Sequence, residues 1–308
     1  MMWLLFVGIA TILDAIRIFI DNYSSDVYFK GRSAVSQKVV YGYMFLVSAL
    51  ILCIVTGFSF NADHVFQYSI FIVSGLLSGI AGIPYYKALE LDDSTNIGIF
   101  TQLAPVIYLI LGWFILDETF VPIQLLAFAV IMLAPLLIVV TTKKRSRKIK
   151  VKAVIYAFLY VLIATIGNII YVKESLPEIN YFTSMIFVFI GKGISDLIIF
   201  YSHPKWRRRF RQVMKTSRKK VLRPILTNSV VGFVKDLTYR YGLIVAPSIA
   251  LASAASDSVE PIVIFFLGIV LTLIWPKFGR EKLDKKSVFV HLVATALVVI
   301  GIILHQIQ

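Results

Sequence analysis

Apolar runs of about twenty residues follow one another along the whole chain. That length crosses roughly 30 Å of hydrocarbon at 1.5 Å of helix rise per residue. Only helices satisfy every backbone group within one segment in lipid, so the runs predict membrane helices. The expected spans are 1–20, 37–58, 65–86, 95–116, 120–140, 152–172, 181–200, 224–245, 248–275 and 287–306. Soluble chains are roughly 45–50% apolar and about 25% charged; here the figures are 58% and 16%, too apolar for one soluble core.

The net charge of +14 would suggest nucleic acid in a soluble protein. Here the first, fifth, seventh and ninth connections carry most of the basic residues, and the even ones offer only Lys173. The longest connection, 201–223, is strongly basic. Basic loops stay cytoplasmic, so both termini are expected outside a plasma (cell inner) membrane, with lipid as the surrounding partner and no nucleic acid bound. The chain begins Met1-Met2-Trp3 without a basic leader, and its first run reads as a span and not a cleaved signal. Cys53 is the single cysteine, so neither an internal disulfide nor a cysteine metal site is expected. The four histidines are scattered and no His-Glu-x-x-His or Walker A sequence occurs. These observations predict no enzyme activity, cofactor or metal.

An internal repeat is visible. Ile9-Ala10-Thr11-Ile12 recurs as Ile163-Ala164-Thr165-Ile166, setting Asp14 opposite Asn168 and Arg17 opposite Tyr171. Tyr85 precedes Pro105 by the same interval that separates Tyr241 from Pro261. Both prolines fall inside expected helices and read as helix breaks. The order predicts two halves of five spans, 1–142 and 152–308, joined by a basic linker at 143–151. Odd-numbered halves are inverted relative to each other, as in many secondary transporters. The fold class is therefore all-α integral membrane, with about ten transmembrane helices as two inverted five-helix repeats.

The run Tyr85-Tyr86-Lys87-Ala88-Leu89-Glu90, then Leu103-Ala104-Pro105-Val106, Asp117-Glu118 and Gln124, resembles the EamA-type family of the drug/metabolite transporter superfamily. Tyr241, Val259-Glu260-Pro261-Ile262, Gly279-Arg280-Glu281 and Gly301 repeat the pattern. The resemblance implies a ten-helix exporter or exchanger of small metabolites, with substrate held between the halves. Asp117 stands where that family usually has Gly. The interval from Pro261 to Glu281 is about seven residues longer than that from Pro105 to Glu118. The family usually keeps its termini inside, opposite to the charge bias.

A charge at the bilayer centre costs at least about 2.5–3.5 kcal/mol, so charged residues inside spans face a cavity or a partner. Asp14 with Arg17, Lys192 with Asp196, and Asp236 with Arg240 have the spacing for pairing within one helix. Span 7, carrying Lys192 and Asp196, is expected toward the periphery. Lys235, Asp236, Tyr239 and Arg240 of span 8 are expected beside the central cavity. Asp257 and Glu260 share a face with no base within a turn, in a run of small residues, Ala252 to Ser258, before Pro261. They are candidates for binding a cationic group or protons, or for pairing with Lys235, Arg240 or Arg17. Asn96, Thr101 and Gln102 could hydrogen-bond a substrate or a neighbouring helix. Gly75, Gly79 and Gly82 suit helix packing.

The expected function is secondary transport, by a chain read as a monomer, of a small molecule such as an amino acid or organic cation, with protons as a candidate coupling ion. A lipid- or nucleotide-linked sugar is the alternative cargo, its phosphates meeting Arg17, Lys235 and Arg240. An intramembrane enzyme or an accessory membrane subunit is the alternative of another class.

Overall fold

The computed structural model describes residues 2–24, 28, 37–91, 103–142, 150–175, 179–274 and 285–306. Among them are ten α-helices: α1 (Met2–Ser24), α2 (Lys38–Thr56), α3 (Val65–Leu91), α4 (Ala104–Leu116), α5 (Pro122–Thr142), α6 (Val151–Lys173), α7 (Tyr181–Ser202), α8 (Pro204–Val245), α9 (Ile249–Ile274) and α10 (Lys285–Gln306). A single 3-10 turn, Ala62–His64, leads into α3, and the described residues contain no strand.

Six helices, α1, α2, α3, α6, α7 and α9, are long and apolar enough to cross a membrane; α4, α5 and α10 hold shorter apolar stretches. Their outward faces carry large apolar side chains such as Ile54, Val55, Phe114 and Leu273. Water would oppose so much exposed hydrocarbon; lipid tails accept it.

The helices pack in reciprocal pairs. α1 runs along α8, α3 along α6 and α7, α2 along α7, and α5 along α10. α9 meets α1 and α4, and α4 meets α6. The largest core lies where α2, α3, α7 and α8 meet, around Phe45, Phe71, Phe189 and Ile225. Phe45 and Phe189 stack there at 5.6 Å. A second core joins Trp3, Tyr108, Leu243 and the Ile249–Ala255 stretch of α9. Glycine sets the closest crossings. A Cβ at Gly75 would overlap the Val188 carbonyl of α7, and one at Gly191 would overlap the Ile72 carbonyl of α3. Gly79 and Gly82 likewise sit against Ser195 and Lys38, as the packing expectation required.

One sequence expectation about the elements needs correction. The segment 204–223 is the first half of a 42-residue helix and not a loop. Pro204 suits the first turn, where no N–H is needed, and Lys and Arg are good helix formers. His203 alone connects α7 to α8. Pro105 stands in the first turn of the described helix α4. The remainder of that expected span, 95–102, lies outside the described residues. Pro261 does sit within its helix, as do Pro84 in α3 and Pro224 in α8.

The α4–α5 connection has a specific geometry. Asp117 takes a left-handed conformation at φ 55°, and the Glu118 N–H closes onto the Gly112 carbonyl. Glycine adopts this conformation without steric cost and Asp tolerates it. The turn aims the Glu118 carboxylate at the start of α9, where it accepts from Ile249 N–H at 2.8 Å and Ser248 Oγ at 3.1 Å.

Candidate functional site

Polar side chains from eight helices converge on a cavity of about 370 Å³ between α1, α2, α3, α4, α6, α7, α8 and α9. This volume falls in the range that small-molecule sites occupy. Among the described residues, none from α5 or α10 lines it. Asp14, Arg17, Asn168, Lys235, Asp236, Tyr239, Arg240, Asp257 and Glu260 all line it. Asn96, Thr101 and Gln102 lie outside the described residues.

The charges pair across helices more than within them. Arg17 Nη1 reaches Asp14 Oδ1 at 3.2 Å, the expected i,i+3 contact. Lys235 Nζ takes the other oxygen of Asp14 at 3.1 Å, tying α8 to α1. Lys192 does not pair with Asp196. It donates to Asp236 on α8 and lies over the Phe45 ring, 4.3 Å from its centroid. Asp196 instead accepts from Lys38 of α2, whose ammonium also donates to the Gly79 carbonyl at 3.0 Å. Nor does Arg240 pair with Asp236. Its guanidinium donates to Ser74 Oγ and Ser78 Oγ, both at 3.0 Å, and stacks 4.6 Å from the Tyr171 ring centroid. α7 therefore belongs to the cavity wall, contrary to its expected peripheral place. Glycine-mediated contact with α3 draws it inward, and Lys192 and Asp196 then find better-buried partners on α8 and α2.

Asp257 and Glu260 differ from the other acids. Asp257 accepts a hydrogen bond from Ser253 Oγ at 3.0 Å. Neither carboxylate has an ion-pair partner within 4 Å among the described residues. The small-residue run holds them close to the bundle: Ala252, Ser253 and Ala254 are fully buried, and Ser256 meets Thr11 of α1 at 3.0 Å.

Several lining residues were not singled out in the sequence. Asp21 accepts from Tyr41 at 2.7 Å and from Asn228 Nδ2 at 2.8 Å, joining α1, α2 and α8. Tyrosines form much of the wall: Tyr85 meets Tyr160 at 4.9 Å between ring centroids, and Tyr108 accepts from Asn168 Nδ2 at 2.6 Å. Lys235 lies 5.1 Å from the ring centroid of Tyr239. Tyr85 was marked in the sequence only as a repeat and motif residue; for Asp21, Tyr41, Asn228, Tyr108 and Tyr160 the only signal would have been polar groups within apolar runs, and tyrosine is too common there to stand out.

The cavity draws on helices from along the whole described chain, and its amino-terminal part carries a recognisable signature. Residues 26–140 match the EamA-like transporter family. The EamA-like segment supplies Lys38, Tyr41, Ser78, Tyr85 and Tyr108 to the cavity, and the match agrees with the motif resemblance around Tyr85, Pro105 and Glu118. With its apolar helices, it makes the chain a multi-pass membrane protein with a transporter-family segment. No curated protein matches the sequence. A solved crystal structure aligns over 99% of this chain and 96% of its own with a TM-score of 0.64 at 12% identity, a likeness of fold.

Proposed function

We propose that the protein is a secondary transporter that carries an amino acid or organic cation through the cavity between two inverted five-helix halves, 1–142 and 152–308. The observation that carries this reading is the pair Asp257 and Glu260, which line the cavity and have no cationic partner among the described residues. Desolvated carboxylates call for a counter-charge. An ammonium group of the cargo supplies one, and so does a coupling proton. Arg240 is the complementary case: it lines the cavity, bonds to hydroxyls, and has no carboxylate partner among the described residues. A zwitterion uses both ends. The tyrosine rings add faces that attract cations.

The reciprocal pairing of helices supports the inverted halves. α1 with α8 corresponds to α6 with α3, and α2–α7 and α5–α10 are each their own counterpart. The phosphate-bearing sugar is less well served, because Asp14 engages Arg17 and Lys235 and leaves it Arg240 alone of its three expected bases. The EamA-like segment favours transport over an enzyme or an accessory subunit.

The test is thermal stabilisation and uptake by the purified chain in proteoliposomes, across amino acids, amines, neutral sugars and nucleotide sugars. Amines or amino acids should stabilise the protein and enter the vesicles unchanged. Glu260→Gln and Asp257→Asn should each weaken both effects while the protein remains folded. Stabilisation by nucleotide sugars alone, undiminished in both variants, would overturn the reading, and chemical conversion of the cargo would replace transport by an enzyme.

A further inference from the structure

The first half of α8 has a geometry and a charge that transport through the cavity does not use. α8 starts one residue after α7 ends, yet its second half packs antiparallel beside α7: Phe233 meets Phe189 at 5.3 Å and Tyr241 meets Tyr181 at 5.1 Å. That register puts α8 near residue 226 at the level of Asp196. From Asp196 to Ser202, α7 climbs only about 9 Å, whereas α8 from Pro204 to that level is about 33 Å long. Its start is tethered beside Ser202, so most of that length must run sideways, along the membrane plane. Pro224 stands inside the helix close to that level, where its missing hydrogen bond permits a kink.

The sideways segment is amphipathic. Trp206 stacks on His203 at 3.9 Å and Phe210 meets Phe200 at 5.7 Å. Val213 and Met214 pack against the core cluster that contains the fully buried Val221. These positions form one helical stripe. The other faces carry Lys205, Arg208, Arg211, Lys215, Arg218 and Lys219, all exposed. Residues 204–223 include no acidic side chain, and no carboxylate among the described residues pairs with these bases.

We infer that the 204–223 segment of α8 is an interfacial helix that binds the phosphate headgroups of anionic phospholipids. Its apolar stripe is already taken up by the protein, its direction follows the bilayer surface, and its cations lie at the helix ends of a membrane bundle, where headgroups are. A polybasic segment in this position gains about 1 kcal/mol per Lys or Arg near an anionic surface, and the attraction falls within a Debye length as salt rises.

The whole chain in nanodiscs, with spin-labelled phosphatidylglycerol or phosphatidylcholine, reads the preference directly. The wild-type protein should immobilise phosphatidylglycerol several-fold more than phosphatidylcholine, and about 1 M salt should bring the two close to parity. R208Q/R211Q/R218Q/K219Q should lose most of that preference while keeping its melting temperature in neutral lipid. Equal immobilisation of both lipids by wild type, or an undiminished preference in the variant, would overturn the inference. So would displacement of the lipid by soluble glycerol phosphate, which would indicate a free-phosphate site, or by an RNA oligonucleotide. Should the variant not fold, Trp206 fluorescence decides, in a chain whose Trp3, Trp113 and Trp275 are replaced by Phe. Phosphatidylglycerol brominated high on its acyl chain should quench it, and no quenching would refute the placement.

Discussion

Lys38 of α2 and Asp196 of α7 form an ion pair whose side chains are 7% and 3% exposed, bridging elements 158 residues apart in sequence. Removing one partner of such a pair leaves a buried charge unmatched, a loss of about 3–5 kcal/mol. Asp196→Asn and Lys38→Met should each lower the melting temperature of the detergent-solubilised protein markedly. Lys38→Met combined with Asp196→Leu should recover most of the loss, since two apolar groups need no counter-charge. Additive losses in the double variant would show that the ion pair is not what joins the helices here.

The Gly75–Gly191 crossing predicts the opposite kind of sensitivity, to volume and not to charge. Either Cβ would meet a backbone carbonyl of the facing helix, and backbone cannot rotate aside as a side chain does. Gly75→Ala and Gly191→Ala should each destabilise by roughly 1–3 kcal/mol, the usual cost of overpacking. Gly8, with nothing near its Cβ position, is the control: Gly8→Ala should be neutral or slightly stabilising in thermal unfolding, because alanine is the better helix former.

The helices were legible in the sequence because lipid permits little else for twenty apolar residues in a row. The cavity position of Asp257 and Glu260 was legible too, since the run from Ala252 to Ser258 leaves one crowded face for both. Charge pairing was less legible. Lys192 and Asp196 have the spacing for an intrahelical bond, but spacing reports proximity along one helix and is silent about neighbours. Lys192 prefers Asp236, 44 residues away, and Asp196 prefers Lys38. Polarity also hid α8: ten bases between Lys205 and Arg223 resemble a solvated loop, although the stripe of Trp206, Phe210, Val213 and Val221 follows helical spacing.

Glu118 should act as a clamp at the start of α9. Glu118→Ala removes both acceptors and should cost about 0.5–2 kcal/mol, the range for loss of a helix N-terminal cap; Glu118→Gln keeps one oxygen and should cost less. Burial raises the Glu118 carboxyl above its ordinary 4.5, opposed by the Ile249 and Ser248 hydrogen bonds. The folded chain then holds this proton more tightly than the unfolded chain. Its contribution to stability therefore declines as pH rises from about 4.5 through the raised value. Melting curves of Glu118→Gln should have a flatter pH dependence over that window, and an unchanged slope would place the titrating group elsewhere.

Asp117 occupies a conformation in which the β-carbon is a burden, at φ 55°. Asp117→Gly should be neutral or stabilising by up to about 1 kcal/mol, and Asp117→Val should destabilise by about 1–2 kcal/mol, because a branched side chain fits left-handed backbone poorly. Thermal unfolding of the two variants decides it. A stabilising valine would mean that the turn relaxes out of the left-handed region.

The final prediction concerns orientation. α1 and α8 run antiparallel, with Val7 beside Gly242 and Arg17 beside Gly232. The amino-terminal end of α1 therefore lies across the bundle from the basic half of α8. Lys and Arg near helix ends hold a segment on the cytoplasmic side, which puts residue 2 outside. If the ten helices all cross, Gln308 follows to the same side. A reporter that fluoresces only in the cytoplasm should be bright when inserted within 208–218 and dark when fused at Gln308; a phosphatase active only outside should give the reverse. Replacing Arg208, Arg211, Arg218 and Lys219 by Gln should shift part of the population toward the opposite orientation, because those charges carry much of the bias. A bright carboxy-terminal reporter with a dark one at 208–218 would mean that the protein follows the usual orientation of its family resemblance and that its charge asymmetry serves the lipid surface instead.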